Sequence, residues 1–208
     1  MRDVSLLVIA KEPLPGRVKT RLTPPLLPVQ AARLASAALA DTLDVVAGTP
    51  SGRKVLVFDG DPAGYAPEGF EVIAQRGGGL AERLAGAFAD VRGPALLVGM
   101  DTPQLTQPLL SRCIREFGAT GVDAVLGRAT DGGYWAIGLR RPVPGAFADV
   151  PMSAAQTWAR QRARLQTLGM NVVDVPMLRD VDTIADARAV ARLAPRSRFA
   201  TALGAVAA

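Results

Sequence analysis

Short apolar runs alternate with amphipathic stretches along almost the whole chain. Val4-Ser5-Leu6-Leu7-Val8-Ile9, Lys54-Val55-Leu56-Val57-Phe58 and Ala95-Leu96-Leu97-Val98 are nearly continuous hydrophobic segments of strand length, the pattern of strands covered on both faces. Between them, 28–47 repeats Ala35, Leu39, Thr42, Leu43 and Val46 at helical spacing, with Pro28 near its start, where the fixed φ of proline suits a first turn. A helix over 80–91 turns Leu80, Leu84, Ala87, Phe88 and Val91 inward, and another over 108–117 ends at Gly118. Further strands are predicted at 71–74, 122–126, 134–139 and 171–175, and further helices at 154–168 and 184–193. This alternation predicts a mostly parallel sheet between two helical layers, an α/β/α sandwich.

The chain has 208 residues and 49% hydrophobic content, enough for one domain with a substantial core. The single domain is expected to run over 1–208, with its core at about 4–193. The Ala-rich tail 195–208 reads as a frayed helix or an interface. No apolar stretch reaches the length needed to span a bilayer, and Asp3 and Lys11-Glu12-Pro13 come before any cleavage-like site. Neither a membrane span nor a signal peptide is therefore expected, and the expected location is the cytoplasm.

The lone Cys113 excludes an internal disulfide and any multi-cysteine metal site. The absence of histidine excludes imidazole as a base or ligand. Any metal must then be held by oxygens, which select hard cations such as Mg²⁺ or Mn²⁺. The net charge of +5 suits an anionic ligand.

The first strand opens into Ala10-Lys11-Glu12-Pro13-Leu14-Pro15-Gly16-Arg17-Val18-Lys19-Thr20-Arg21, a rigid cationic loop. The chain holds only three lysines against twenty-one arginines, and two of the three are in this loop. It lies at the carboxyl end of a strand, where open α/β sheets bind ligands, and it is expected to receive nucleotide phosphates. It lacks the second glycine of a P-loop.

Asp101 ends a buried strand and is followed by Thr102-Pro103, which suits either a cation bridging two phosphates or a turn cap. Asp131-Gly132-Gly133-Tyr134-Trp135 lies between two strand-like runs and reads as a tight hairpin or as ligand contacts, with Tyr134 and Trp135 against a base or sugar. Asp180 and Asp182 precede the last predicted helix, which Asp182 could cap. Gly77-Gly78-Gly79 stands before a helix N-terminus and could admit an anion.

The ordered set AKEPLPGRVKTRL, GGGLAERL, GMDTPQLT, ATDGGYWAIGL and RDVDTIAD resembles the DUF2064 group of bacterial glycosyltransferase A-type proteins, often labelled arsenosugar biosynthesis glycosyltransferases, over about residues 5 to 190. The resemblance implies a nucleotide-diphospho-sugar transferase fold, Rossmann-like and shared with molybdenum-cofactor and phospholactate guanylyltransferases. It implies nucleotide contacts at Ala10, Lys11, Gly16, Lys19, Arg21, Gly79, Arg83 and Asp101. Asp101 would be the metal ligand, with Asp182 as a second candidate. Asp131, Gly132, Gly133, Tyr134 and Asp182 would line the donor or acceptor pocket, and Asp101, Asp131 and Lys19 would carry the chemistry. This chain departs from the family at Gly78-Gly79-Leu80-Ala81, where Gly-Asp-Leu-Gly is usual, and at Met152-Ser153, where Trp-Ser is common.

The resulting expectation is a transferase using Mg²⁺ or Mn²⁺, a nucleoside diphosphate sugar and a small-molecule acceptor. A nucleotidyltransferase taking a nucleoside triphosphate is the alternative. Nucleic acid is not an expected partner, since aromatic residues are only 5% and no nucleic-acid module is present.

Overall fold

Seven strands form one sheet in the order β3-β2-β1-β4-β6-β5-β7 in the computed structural model, which describes residues 4–207. Residues 1–3 and 208, at the two ends of the expected 1–208 domain, lie outside the described residues, and Asp3 is among them. The strands are β1 Ser5–Lys11, β2 Lys54–Asp59, β3 Glu71–Ala74, β4 Ala95–Gly99, β5 Ala124–Ala129, β6 Tyr134–Leu139 and β7 Val172–Leu178. All run the same way except β6, which is antiparallel to β4 and β5. The carboxyl ends of six strands and the beginning of β6 therefore share one edge.

The helices are α1 Pro28–Gly48, α2 Leu80–Val91, α3 Gln107–Phe117, α4 Thr157–Thr167, α5 Ile184–Leu193 and α6 Arg198–Ala207. One apolar core joins Leu6, Val8, Leu56 and Val98 of the sheet to α1 and α3. A second joins Leu7, Val57, Leu97 and Ile137 to α2 and α4. Alternate residues of β1 thus serve opposite cores, as the two-residue period of a strand requires, and the single α/β domain has the expected three layers.

The sequence and the structure differ most in the bounds of β5, β7 and α4. β5 begins at Ala124 rather than 122 but continues to Ala129, and β7 continues to Leu178. Both extensions are set by pairing, because β5 and β7 run side by side beyond a register shift between Gly127 and Ala129. α4 begins only at Thr157, because Thr157 Oγ1 donates to Pro151 O at 2.7 Å and accepts the Ala154 N–H at 3.0 Å, holding 151–156 as a separate turn.

The largest difference is the tail. It forms α6, docked along α1, and is neither frayed nor free. Both carboxylate oxygens of Asp41 accept its first N–H groups, from Arg198 at 3.0 Å and Phe199 at 2.9 Å, a cap supplied by another helix. Burial is the main cause that raises the Asp41 pKa, opposed by these two hydrogen bonds. Phe199 is 1% exposed and lies in a third core with Leu22, Leu34, Val181 and Val190.

Two substitutions test this packing. Phe199→Ala should cost about 4 kcal/mol as a cavity-forming change, lowering the melting temperature by about 10 °C. Gly132→Ala should also destabilise, by about 2–4 kcal/mol, because a Cβ there would lie 1.9 Å from the Ala155 carbonyl oxygen on a backbone held at φ +93°. Gly133→Ala, whose nearest neighbour would be the Asp131 side chain at 3.0 Å on a backbone without positive φ, is the control, and equal melting curves for the two glycine variants would refute the reading.

Candidate functional site

The shared carboxyl edge opens into a cavity of about 660 Å³. One wall is basic. Beyond β1 the chain turns at Gly16, at φ +75°, and enters a single 3-10 turn at Thr20–Leu22. Lys11, Arg17, Lys19 and Arg21 all reach the cavity. Leu22, fully buried in the third core, anchors this segment. Lys19 adopts the left-handed region, at φ 50° and ψ 37°, and its side chain is 7% exposed. Its Nζ lies 2.5 Å from Asp101 Oδ1 and donates to Val181 O, also at 2.5 Å.

The opposite wall is acidic. Asp131, Asp180 and Asp182 each offer a carboxylate oxygen within 4.8 Å of the other two. Val181 between the last pair is fully buried, and its N–H donates to Asp101 O at 2.9 Å. That bond ties the acidic segment to the end of β4. In an extended segment residues two apart share a side, so burying Val181 turns Asp180 and Asp182 toward the cavity together. Asp180 accepts from the Thr130 hydroxyl at 3.3 Å. Its pKa is raised, first by burial and next by the neighbouring Asp131 charge. Arg21 reaches across to Asp182 at 2.6 Å. The helix cap expected of Asp182 falls instead to Thr183, which exchanges hydrogen bonds with Asp186 and leaves Asp182 to face the cavity.

Asp131 sits in the turn of the β5–β6 hairpin, its Oδ1 accepting the Gly133 N–H at 2.7 Å. The turn is fixed from behind by the Trp158 N–H, which donates to Gly132 O at 2.8 Å. Trp135 is 3% exposed, and its indole N–H donates to Pro176 O at 3.0 Å. Its ring crosses Gly127, where a Cβ would lie 2.6 Å from the indole nitrogen. Trp135 is therefore a core residue that borders the cavity, and the stacking surface expected of it is engaged in the sheet. The Tyr134 hydroxyl donates to Gln161 Oε1 at 3.3 Å. Burial pushes its pKa up, so it stays a neutral hydrogen-bonding group.

At the far end, near β2 and β3, Arg83 pairs with Asp59 at 2.7 Å and donates to Gln75 Oε1 at 3.2 Å. Gln75 in turn donates to Ala10 O at 2.7 Å and to Val57 O at 3.1 Å. The glycine loop before α2 already has an anion of its own. Glu82 accepts from Gly78 N at 2.5 Å and from Gly79 N at 3.2 Å, which fills the helix N-terminus from within.

Of the expected residues, Ala10, Lys11, Lys19, Arg21, Arg83, Asp101, Asp131, Gly133, Tyr134 and Asp182 line this one cavity. Gly16, Gly79 and Gly132 shape its turns without forming its wall. Asp101 stands apart from the three-carboxylate cluster, engaged with Lys19. Three residues of the site, Asp180, Asp59 and Gln75, were not assigned to it from the sequence, although Asp180 was noted beside Asp182. Asp180 was legible in the Asp-Val-Asp spacing, since an apolar residue between two acids signals one buried and two outward side chains. Asp59 and Gln75 carried no local signal, because only strand pairing brings them to Arg83.

The fold is the nucleotide-diphospho-sugar transferase fold. A solved structure from Desulfovibrio desulfuricans G20, provisionally described as a nucleotide-diphospho-sugar transferase, is 27% identical, with 98% of this chain and 94% of that chain covered and a TM-score of 0.86. CMP:2-keto-3-deoxy-manno-octonic acid synthetase, solved with CTP, is 13% identical, with 93% and 99% covered and a TM-score of 0.62. Rv0371c of Mycobacterium tuberculosis H37Rv, solved with manganese, is 22% identical, with 90% and 97% covered and a TM-score of 0.57. No curated protein matches the chain. Among the described residues no helix is long and apolar enough to cross a membrane. A family profile matches residues 33–154, and the chain belongs to that family, described as an uncharacterized protein conserved in bacteria (DUF2064).

Proposed function

We propose that this protein is a metal-dependent transferase that takes a nucleoside diphosphate sugar and passes the sugar to a small-molecule acceptor. The observation that carries the reading is the facing of a four-cation loop and a three-carboxylate cluster across one cavity. A phosphate chain needs both, cationic side chains along its length and a hard cation held by oxygens. The three carboxylates fit such a cation, because they converge within 4.8 Å without a histidine or cysteine among them. The solved relative that contains manganese supports this choice.

Asp180 and Asp182 would hold Mg²⁺ or Mn²⁺, and Asp101, which Lys19 now holds apart from the cluster, would join them as a further ligand once that ammonium is displaced. Once bound, the ion would supply positive charge to the phosphates and stabilise the charge that develops on the departing diphosphate. Lys19 and Arg21 add to that stabilisation from the basic wall, and they are positioned before reaction begins. Asp131 is the most exposed carboxylate of the cluster, and we assign it to orienting the acceptor hydroxyl. Arg83 and Gln75, held by Asp59 and the ends of β1 and β2, present polar groups at the other end of the cavity, where the base would lie.

The four cations of the loop exceed what a diphosphate needs, and this favours transfer of a nucleoside monophosphate from a triphosphate as the second reading. Products separate the two, since sugar transfer releases nucleoside diphosphate and nucleotidyl transfer releases pyrophosphate.

A thermal-shift panel of UDP-, GDP-, CDP-, ADP- and dTDP-sugars and the matching triphosphates, each with Mn²⁺, tests the proposal. One nucleotide class at a hundred times its dissociation constant should add about 2.7 kcal/mol, raising the melting temperature by roughly 5–10 °C. The shift should vanish in Asp182→Asn. No shift with any diphosphate sugar or triphosphate would refute it.

The raised pKa of Asp180 sets a pH dependence with two opposite slopes. Its folded form keeps the proton to higher pH than the unfolded chain, so without metal the stability it contributes is present below the ordinary carboxylate range and is lost as pH rises through the raised value. Mn²⁺ needs the ionised form, so Mn²⁺ affinity should climb over the same window and then level. Mn²⁺ titrations at a series of pH values, in the presence of the nucleotide that gives the thermal shift, check this, and a flat profile would contradict it.

A further inference from the structure

We infer that Lys19 is the resident cation of this site, so that the protein refuses a free divalent ion and takes it only as a complex with nucleotide phosphates. This rests on the metal-dependent reading above and specifies the form in which the substrate enters.

Lys19 is placed for phosphate on the basic wall, yet its ammonium reaches Asp101 Oδ1 and Val181 O at 2.5 Å each. Val181 lies between Asp180 and Asp182. One ammonium therefore joins Asp101 to the acidic segment, where a metal would have to join them. The side chain is only 7% exposed, although Asp101 is half exposed. A buried ammonium persists only with charged and hydrogen-bonding partners, and here those partners are the candidate metal ligand and a carbonyl beside two more. The backbone is committed as well, since Lys19 is one of four non-glycine residues at positive φ among the described residues, a conformation that an L side chain seldom adopts unless its surroundings hold it there.

A divalent ion and this ammonium cannot share Asp101 without strong repulsion at such short range. Free metal must displace Lys19 and leave a buried positive charge without its counter-ion. A metal carrying a phosphate chain supplies a new counter-ion in the same step, because the ammonium can turn from Asp101 to a phosphate oxygen. Metal and nucleotide then favour each other's binding, a coupling that is reciprocal by linkage.

The experiment is a Mn²⁺ titration followed by electron paramagnetic resonance on the full chain and on Lys19→Met, alone and with saturating UDP, GDP or CDP. Lys19→Met keeps the length of the side chain and removes its charge. The native protein should bind Mn²⁺ alone at least tenfold more weakly than Lys19→Met does, and at least tenfold more weakly than it binds Mn²⁺ with the nucleotide it recognises. That nucleotide enhancement should be largely lost in Lys19→Met. Equal or weaker Mn²⁺ binding by folded Lys19→Met would overturn the inference while leaving the metal site intact. If Lys19→Met does not fold, the native protein decides alone, and Mn²⁺ affinity unaffected by every nucleotide would overturn it. Absence of Mn²⁺ binding to either protein under all conditions would overturn both the inference and the metal-dependent reading.

Discussion

Strand polarity is the constraint from which the site follows. Six strands run in one direction, and the single reversed strand, β6, begins at the edge where they end. Residues that follow β1, β2, β3, β4, β5 and β7 are thereby collected from positions nearly 170 apart in sequence, from Lys11 to Asp180. Polar groups gathered on that edge pair across neighbouring loops or stay open to a ligand. The Arg83–Asp59, Arg21–Asp182 and Lys19–Asp101 pairs are three such solutions.

These pairs differ in kind. Arg21 is largely exposed and contributes little to stability through its pair. Lys19 is buried, and its pair matters because losing Asp101 would leave a desolvated ammonium without its counter-ion. The chain uses arginine almost everywhere, so lysine at this position is a physical choice. A compact ammonium on a flexible stem can exchange one oxygen partner for another by rotation, whereas a planar guanidinium is fixed by its fork geometry.

The β-α alternation, the cationic loop and most of the cavity wall were legible in the sequence, because buried parallel strands and amphipathic helices leave strong local patterns. Some features depend on partners distant in the chain and were not. Asp41 caps a helix more than 150 residues away, so nothing local distinguishes α6 from a loose Ala-rich tail. Trp135 looked like a ligand platform beside two glycines, but the need to cover Gly127 and to satisfy an indole N–H places it in the sheet. The triple glycine looked like an anion site, and Glu82 three residues on already supplies the anion. Asp101 and Lys19 were both identified, yet their contact with each other arises only from the fold.

The third core carries a further meaning. Leu22 beneath the basic loop and Val181 beneath the acidic segment pack into the same cluster as Phe199 and Leu203 of α6. The last helix thus lies behind both walls of the cavity without touching it. A chain synthesised from its N-terminus folds in that order, and the sheet edge can assemble before α6 exists. α6 adds Phe199 and Leu203 to a foundation that α1 and α5 have already begun beneath Leu22 and Val181, so the two charged walls gain their full support last.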